Sequence, residues 1–154
     1  MSEDTQQTLV LIKPDGVQRG LVGQIVHRLE ARGLRIAAMK MTHMDAETAS
    51  RHYGVHRERP FFKSLVDFIT SSPLVAMVLE GPNAVELVRR TMGATNPLEA
   101  QPGTIRGDLA VYIERNLIHG SDSTETAASE IQLFFEASEI STYQRDIQPW
   151  ITES

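Results

Sequence analysis

The sequence contains no cysteine, which excludes a disulfide framework and thiolate metal sites and fits a reducing compartment. It also lacks a long apolar run. The longest stretches, Leu9–Ile12 and Leu74–Leu79, are much shorter than the roughly 20 residues of a transmembrane helix. The start of the chain has no basic region, long apolar core or small-residue cleavage site typical of a secretory signal. We therefore expect a cytoplasmic protein without a membrane partner.

Positive charge is in the minority, because 15 Lys and Arg residues face 20 Asp and Glu residues and give a formal net charge of -5. Nucleic-acid-binding proteins usually carry a basic surface, so no nucleic-acid partner is expected. The chain also lacks the GxxxxGK[ST] phosphate loop, the HRD and DFG motifs and a GxGxxG after a strand. These absences argue against a P-loop kinase, a protein-kinase fold and a dinucleotide-binding fold. A small polyanion can still bind if the cations converge in one cleft.

The 154 residues are predicted to form a single domain, because no repeat, charge block or low-complexity linker divides them. Apolar and β-branched residues predict extended segments at Thr8–Lys13, Leu34–Met41, Leu74–Leu79 and Ile131–Phe135. Helical spacing and capping residues predict helices from Leu21 to Gly33, from Asp45, after Pro60, after Asn83 and from Ser123 to Gln132. Pro14-Asp15-Gly16 predicts a turn.

This order of segments predicts an α+β fold of the ferredoxin-like split βαβ type, an antiparallel four-stranded sheet with helices covering one face. The segment Gly93–Gly120 is rich in Gly and Pro and predicts a long irregular loop, which in a compact domain is usually functional or disordered. Its apolar and charged residues favour an ordered, functional loop. Residues 138–154 form a polar C-terminal extension with a lone Trp150.

His119 is the most distinctive of the five histidines. It lies between the irregular loop and the Ser123 cap of a helix, and a helix N-terminus favours anions such as phosphate. Gly120 removes side-chain bulk beside the imidazole. An accessible imidazole here can act as base, ligand or nucleophile, or it can simply order the loop. The residue types alone leave these alternatives open.

The other histidines carry weaker signals. His27 and His43 are expected on the surface. His52 and His56 are four residues apart and could share a helical face for a metal, but no HExxH motif surrounds them and no cysteine is available. We therefore expect no metal held directly by protein side chains. Among the cations, Arg106 lies between Ile105 and Gly107 in the loop, where it has little helical or strand role. It is therefore a candidate phosphate ligand.

Five blocks, in order along nearly the whole chain, resemble the nucleoside diphosphate kinase family. They are Thr8–Gly16, Arg59–Phe62, Gly93–Pro97, Thr104–Asp108 and the run Asn116–Ser123, which reads Asn-x-x-His-Gly-Ser-Asp-Ser. The resemblance implies a ping-pong reaction in which the γ-phosphoryl of a nucleoside triphosphate, typically that of ATP, moves to His119 and then to a nucleoside diphosphate. It also implies Mg2+ as cofactor, because phosphoryl transfer needs charge neutralisation.

The resemblance implies a role for each site residue. Phosphate contacts are implied for His56, Arg89, Thr95 and Arg106; sugar contacts for Lys13 and Asn116; and base contacts for Phe61, Leu65 and Ile113. Lys13 is also implied to lie near the transferred group, Tyr53 beside His119, and Glu130 on the ring nitrogen of His119 that is not phosphorylated. Since every base has a π-face, stacking on Phe61 predicts broad nucleotide specificity.

Three further expectations follow from the resemblance. Glu114 stands where many members have glycine, and it would be strained if that position needed a positive φ. Pro97 would lie in a loop between subunits, and the extension 138–154 at subunit contacts, of a homo-oligomer for which we favour a hexamer over a tetramer. The alternatives to a kinase are a histidine phosphocarrier or regulatory protein, and a binding protein with a degenerate site. A protein phosphate donor needs no base-stacking platform, which argues against the phosphocarrier, and no expected catalytic position is lost, which argues against the degenerate site.

Overall fold

The computed structural model describes residues 5–153, apart from the side chain of Val55. Its sheet has four strands, β1 (Thr5–Ile12), β2 (Arg35–Thr42), β3 (Leu74–Pro82) and β4 (Ile118–Gly120), in the spatial order β2-β3-β1-β4. Every pairing is antiparallel. The predicted α+β fold with an antiparallel four-stranded sheet is therefore confirmed.

Within residues 5–153, seven α-helices connect and cover the strands. They are α1 (Pro14–Gln18), α2 (Val22–Ala31), α3 (Ala46–His52), α4 (Phe62–Ile69), α5 (Ala84–Met92), α6 (Ile105–Leu109) and α7 (Thr124–Phe134). Short 3-10 turns lie at Gly54–His56, Pro97–Glu99, Ala137–Glu139 and Gln148–Trp150. None of the helices within residues 5–153 combines the length and the apolar character needed to cross a bilayer.

Helices cover both faces of the sheet, so the expectation of helices on one face is wrong. Successive residues of β1 point to opposite sides: Val10 belongs to a core built with α2 and α5, and Leu11 to one built with α3, α4 and α7. The central strand is therefore buried on both sides, with Leu9–Ile12 fully inaccessible to solvent. This explains why its sequence is a continuous apolar run rather than an alternating one.

The fourth strand is not the one predicted. The run Ile131–Phe135 was expected to be extended, but residues up to Phe134 complete α7 and bury Ile131 and Phe134 against the sheet. The fourth strand is instead the three-residue β4, inside the segment expected to be an irregular loop. That segment also contains α6, and the predicted Pro14-Asp15-Gly16 turn is the start of α1, with Pro14 at its first position.

The C-terminal extension packs partly on its own chain. The Ser141 backbone N–H donates to the Ala37 oxygen over 2.7 Å, and the Tyr143 hydroxyl donates to the Ile36 oxygen over 2.6 Å. Both acceptors belong to β2, an outer strand of the sheet. Trp150 remains 89% exposed. Packing of the extension at subunit contacts stays a prediction, as does the single domain, whose ends at residues 1–4 and 154 lie outside the described residues.

Candidate active site

One cleft with a volume of about 1570 Å3 brings together all the predicted site residues. They are Lys13, Tyr53, His56, Phe61, Leu65, Arg89, Thr95, Arg106, Ile113, Asn116, His119 and Glu130. They come from the end of β1, from the segment joining α3 to α4, from α4 and α5, from the segment that includes α6, and from β4 and α7. Residues far apart in sequence therefore meet because the central strand pairs with β4 and the helices converge at one end of it.

His119 and Glu130 form the centre of the cleft. His119 lies on β4 opposite Leu11 of β1, and its Nε2 is 3.0 and 3.1 Å from the two carboxylate oxygens of Glu130 on α7. A carboxylate only accepts hydrogen bonds, so Nε2 carries the proton. No described residue hydrogen-bonds to the other ring nitrogen, Nδ1. The side chain of His119 is 29% exposed and therefore reachable from the cleft.

Ser121 fixes the carboxylate of Glu130 from the other side. The Ser121 hydroxyl donates to Glu130 Oε1 over 2.6 Å, and its oxygen accepts the Leu9 backbone N–H over 3.3 Å. Burial raises the pKa of Glu130, but the hydrogen bonds from His119 and Ser121 outweigh it, so the pKa is lowered overall. Glu130 is thus held ionised in a defined position, anchored to the central strand.

His52 is a site residue that the sequence did not reveal. Its side chain is 2% exposed, its Nδ1 lies 3.4 Å from Glu130 Oε2, and its ring meets that of His119 edge-on at 4.8 Å between centroids. Burial, with the adjacent His119 adding to it, lowers the pKa of His52 to about 4, so its imidazole is neutral at physiological pH. One potential ligand atom of His52 lies within 4.8 Å of those of His119 and Glu130, and His56, which is four residues away in sequence, does not belong to this group.

Tyr53 follows His52 at the end of α3. Its ring lies 4.7 Å from the His52 ring, and the His52 ring in turn contacts that of His119. Burial raises the pKa of Tyr53 to about 12, so the phenol keeps its proton. The aromatic rings thus form a continuous wall beside His119.

Lys13 and Asn116 are joined directly, since the Lys13 ammonium donates to the Asn116 side-chain oxygen. The Asn116 amide in turn donates to the Thr95 backbone oxygen over 2.9 Å. Burial lowers the pKa of Lys13 to about 8, although the nearby Asp15 carboxylate opposes the shift. These contacts hold a cation and an amide together on one wall of the cleft.

The backbone beside His119 is held in an unusual conformation. Leu117 has a φ of 75°, which is uncommon for a residue with a side chain. Its N–H donates to the buried Asp15 carboxylate over 3.0 Å, and its oxygen accepts the Lys13 backbone N–H over 2.8 Å. Asp15 therefore has a structural function that its place in a turn-like sequence did not indicate.

The backbone at Glu114 does not meet the condition under which strain was expected. Among the described residues other than glycine, only Asn83 and Leu117 have positive φ. Glu114 lines the cleft without that backbone strain.

Arg106 is buried and is tied to the backbone, so the expectation that it has little helical or strand role is wrong. It lies in α6, and its guanidinium donates to the Gly93, Asn116 and Ile118 oxygens over 3.1, 3.1 and 2.5 Å. These bonds connect the end of α5, the loop and β4. The adjacent Gly107 is required by close packing, because a Cβ there would lie 2.0 Å from the Gln101 oxygen.

Arg89 is the more open cation of the cleft. It is exposed, and its guanidinium makes one hydrogen bond of 3.3 Å, to the Gly120 oxygen. Gly120 itself is needed for packing: a Cβ there would approach the Met92 sulfur to 2.8 Å and the Val88 Cγ1 to 2.9 Å. Its lack of a side chain therefore brings β4 close to α5, rather than making room beside the imidazole.

The outer part of the cleft is apolar. Phe61 is 45% and Ile113 is 41% exposed, and Leu65 also lines this part. The ring of His56 lies 5.4 Å from that of Phe61. A flat, half-open aromatic surface of this kind can stack on another planar group. The cleft therefore combines an apolar entrance, a row of cations and a deep imidazole that is oriented by a carboxylate.

Comparison with known proteins agrees with this arrangement. The family model described as nucleoside diphosphate kinase matches residues 6–140. A nucleoside diphosphate kinase from Picosynechococcus sp. is 56% identical over 96% of this chain and 99% of its own length. One from Archaeoglobus fulgidus is 55% identical over 96% and 98%. The structure of a halophilic nucleoside diphosphate kinase from Halobacterium salinarum in complex with CDP is 48% identical, with a TM-score of 0.93 over 96% of this chain and 98% of that one.

These matches confirm the resemblance inferred from the sequence and do not favour a histidine phosphocarrier. The family model and the relatives extend over almost the whole chain, so the likeness is not limited to the cleft. The chain is a phosphotransferase and belongs to the nucleoside diphosphate kinase family.

Proposed function

We propose that this nucleoside diphosphate kinase works through a phosphohistidine on His119. The lone pair of Nδ1 attacks the γ-phosphorus of a nucleoside triphosphate, the bond from that phosphorus to the bridging oxygen breaks, and the diphosphate leaves with the electron pair. A terminal phosphate oxygen of a second diphosphate then attacks the same phosphorus and breaks the P–N bond. One phosphoryl group thus passes from the triphosphate to the second diphosphate, and no water enters the reaction.

The observation that carries this proposal is the bond between His119 Nε2 and Glu130. Because Nε2 holds the proton and donates it to the carboxylate over 3.0 Å, Nδ1 keeps its lone pair and is the nitrogen available to the substrate. Phosphorylation of Nδ1 leaves the ring cationic, and the ionised Glu130 stabilises that charge. Tyr53, whose ring contacts that of His52, is proposed to complete the catalytic set.

The cations of the cleft are proposed to bind the phosphates. Arg89 offers most of its guanidinium to the cleft, whereas Arg106 has N–H groups left over from its carbonyl contacts. Thr95 and His56 complete the phosphate contacts. Lys13 lies at the junction of the phosphates and the sugar, with Asn116 on the sugar hydroxyls. Such groups position the phosphoryl for in-line transfer and neutralise its charge.

The apolar entrance is proposed to bind the base. Phe61 would stack on it, with Leu65 and Ile113 against its edges. Apolar contacts to the faces of a base do not distinguish purine from pyrimidine strongly. We therefore propose broad use of nucleoside diphosphates and triphosphates, including ATP.

Magnesium is proposed to enter as part of the substrate. Mg2+ prefers six oxygen ligands, and it is usually bound by phosphates and water with one or two carboxylates. The described residues offer one cluster of potential ligands in this cleft, and two of its three members are imidazoles. That set does not fit Mg2+, so the ion is best held by the nucleotide phosphates, and it would neutralise charge developing on them.

The experiment is a two-step labelling assay. Purified protein is incubated with γ-labelled ATP and Mg2+, freed of nucleotide, and then challenged separately with each nucleoside diphosphate. We expect acid-labile, base-stable label on His119 that passes to every diphosphate. His119→Ala should take up no label, whereas the matched control His27→Ala, which removes an exposed imidazole, should label normally. Full transfer by His119→Ala would refute the proposal, and so would label that no diphosphate removes.

We also propose a homo-oligomer, with a hexamer favoured over a tetramer, in the cytoplasm. Several apolar side chains are unusually exposed in the isolated chain, among them Leu98 at 79%, Val111 at 83% and Trp150 at 89%. Leu98 follows Pro97 in the loop expected to lie between subunits. Burial of these side chains at subunit contacts would remove their apolar surface from water. The solution mass from analytical ultracentrifugation tests the assembly, and a monomeric mass would contradict it.

A further inference from the structure

His52, His119 and Glu130 form a group of metal ligands inside the cleft, and this group has a chemistry different from that of the phosphate-binding cations. Each residue offers one ligand atom, and the three ligand atoms all lie within 4.8 Å of one another. Two imidazoles and one carboxylate are a ligand set typical of zinc, which in catalytic sites takes water or substrate as the fourth ligand. We propose that this cluster binds Zn2+ or a similar borderline divalent ion, and that the bound ion switches the enzyme off.

An unpaired atom points to this ligand independently. His52 Nδ1 is buried and makes no hydrogen bond within the described part of the chain. Glu130 Oε2 is 3.4 Å away but is not aligned for a hydrogen bond to it. An unsatisfied buried polar atom is costly, and an ion between the imidazole and the carboxylate would satisfy it.

The distances are close to those that a tetrahedral ion requires. Ligand atoms about 2.1 Å from such an ion lie about 3.4 Å from one another. Glu130 Oε2 is already 3.4 Å from His52 Nδ1 and 3.0 Å from His119 Nε2. The separation of the two nitrogens has to shorten by about 1.4 Å at most, and the contact of 3.0 Å has to lengthen by about 0.4 Å. The His119 side chain is partly exposed and provides both this adjustment and a path from solvent.

Nitrogen ligands also decide which ion binds. Imidazole suits zinc, copper and nickel, whereas magnesium selects oxygen ligands. The cluster should therefore remain free of Mg2+ at the concentrations that nucleotide chemistry uses.

The switch follows from imidazole chemistry. In the active arrangement Nε2 of His119 carries the proton and Nδ1 carries the lone pair. When the ion takes the Nε2 position, Nε2 must supply its own lone pair, and the proton moves through solvent to Nδ1. The ring keeps one proton and remains neutral, but Nδ1 can no longer attack phosphorus. This consequence, unlike metal binding itself, rests on the proposed role of His119.

The test uses the intact protein and Zn2+ alone. Competition with a fluorescent chelator should detect one site per chain. In protein labelled with 15N-histidine, Zn2+ should change the resonances of Nε2 of His119 and move its Nδ1 from the lone-pair region to the protonated region. Uptake of label from γ-labelled ATP, at buffered free Zn2+, should fall in parallel with occupancy and recover after chelation. An unchanged Nδ1 resonance, or full labelling at saturating Zn2+, would overturn the switch.

Variants locate the site. His52→Asn and Glu130→Gln should each weaken Zn2+ binding at least about tenfold, since each removes a direct ligand and even outer contacts are worth that much. His27→Asn, which removes an exposed imidazole, should bind like wild type. Circular dichroism before each titration identifies a variant that has not folded. Because His52→Asn and Glu130→Gln remove different ligands, each of them tests the zinc site independently of the other.

Two results would overturn the site itself. One is unchanged binding in the folded His52→Asn and Glu130→Gln variants. The other is loss of binding in His56→Asn, which would assign the ion to the His52–His56 pair. If instead His119 accepts no phosphate in zinc-free buffer, the proposed function fails while the zinc-binding measurements keep their meaning.

Discussion

Replacement of Arg106 tests whether this side chain holds the cleft together. In Arg106→Ala, the Gly93, Asn116 and Ile118 oxygens each lose the guanidinium as a donor, although the Asn116 oxygen keeps the Ile118 backbone N–H at 2.9 Å. A hydrogen bond contributes about 1 kcal/mol net, more when the donor is charged, and a buried group left unsatisfied adds a penalty. Three such bonds give an expected loss of about 3–5 kcal/mol, a large share of the roughly 5–15 kcal/mol that stabilises a typical domain.

The assay is urea unfolding followed by far-ultraviolet circular dichroism at one protein concentration. Tryptophan fluorescence would be a poor reporter, because the single Trp150 is 89% exposed. Arg106→Lys should be intermediate, since one ammonium keeps the charge but cannot span all three oxygens. Arg89→Ala is the matched control: with one 3.3 Å bond on an exposed side chain, it should slow transfer with less than about 1 kcal/mol of destabilisation. An Arg106→Ala protein as stable as Arg89→Ala would refute the reasoning.

Three further predictions concern groups near the histidine. Ser121→Ala removes the 2.6 Å hydrogen bond to Glu130 and the acceptor of the Leu9 N–H. It should therefore slow phosphohistidine formation in a quenched-flow assay and lower the free energy of unfolding by about 1–2 kcal/mol. A rate and a free energy of unfolding that both equal those of the wild type would contradict this. Because the pKa of His52 falls from 6.5 to about 4 on folding, the unfolded chain binds a proton first on acidification. The free energy of unfolding should therefore fall by ~3 kcal/mol at most between about pH 6.5 and pH 4, and an equal fall in His52→Asn would exclude this histidine as a cause. Because burial lowers the pKa of Lys13 to about 8, its charge disappears as the pH rises through that value, so nucleoside diphosphate affinity should fall between about pH 7 and pH 9. Lys13→Arg should show no such fall in a binding titration.

Local signals in the sequence were sufficient for much of the fold. Asp45 and Ser123 were expected to cap helices, and their side chains accept the Thr48 and Thr126 backbone N–H groups. The run Ile131–Phe135 misled, because a short apolar run is compatible with both a strand and the buried end of a helix. Whether this run is a strand or a helix depends on how α7 packs against the sheet, and the residues of the run alone carry no information about that packing.

In the candidate active site too, local sequence patterns predicted some features, whereas contacts between residues far apart in sequence determined others. The family blocks identified the residues that line the cleft. They did not indicate that His52 lies beside Glu130, because that contact depends on the packing of α3 against α7. Arg106 looked like a free cation for a similar reason: its partners are three backbone oxygens, and a sequence pattern of side chains does not report on backbone acceptors.

The pairing of β1 has a consequence for the order in which the enzyme forms during synthesis. β1 emerges from the ribosome before the other strands but is an inner strand of the sheet, and its partners β3 and β4 follow much later. Leu9 meets Ser121 across 112 positions of the chain. Such long-range pairing closes slowly compared with local contacts. A nascent chain therefore has no complete nucleotide cleft until α7 has left the exit tunnel, so the phosphate-carrying histidine is among the last parts of the protein to reach its working position.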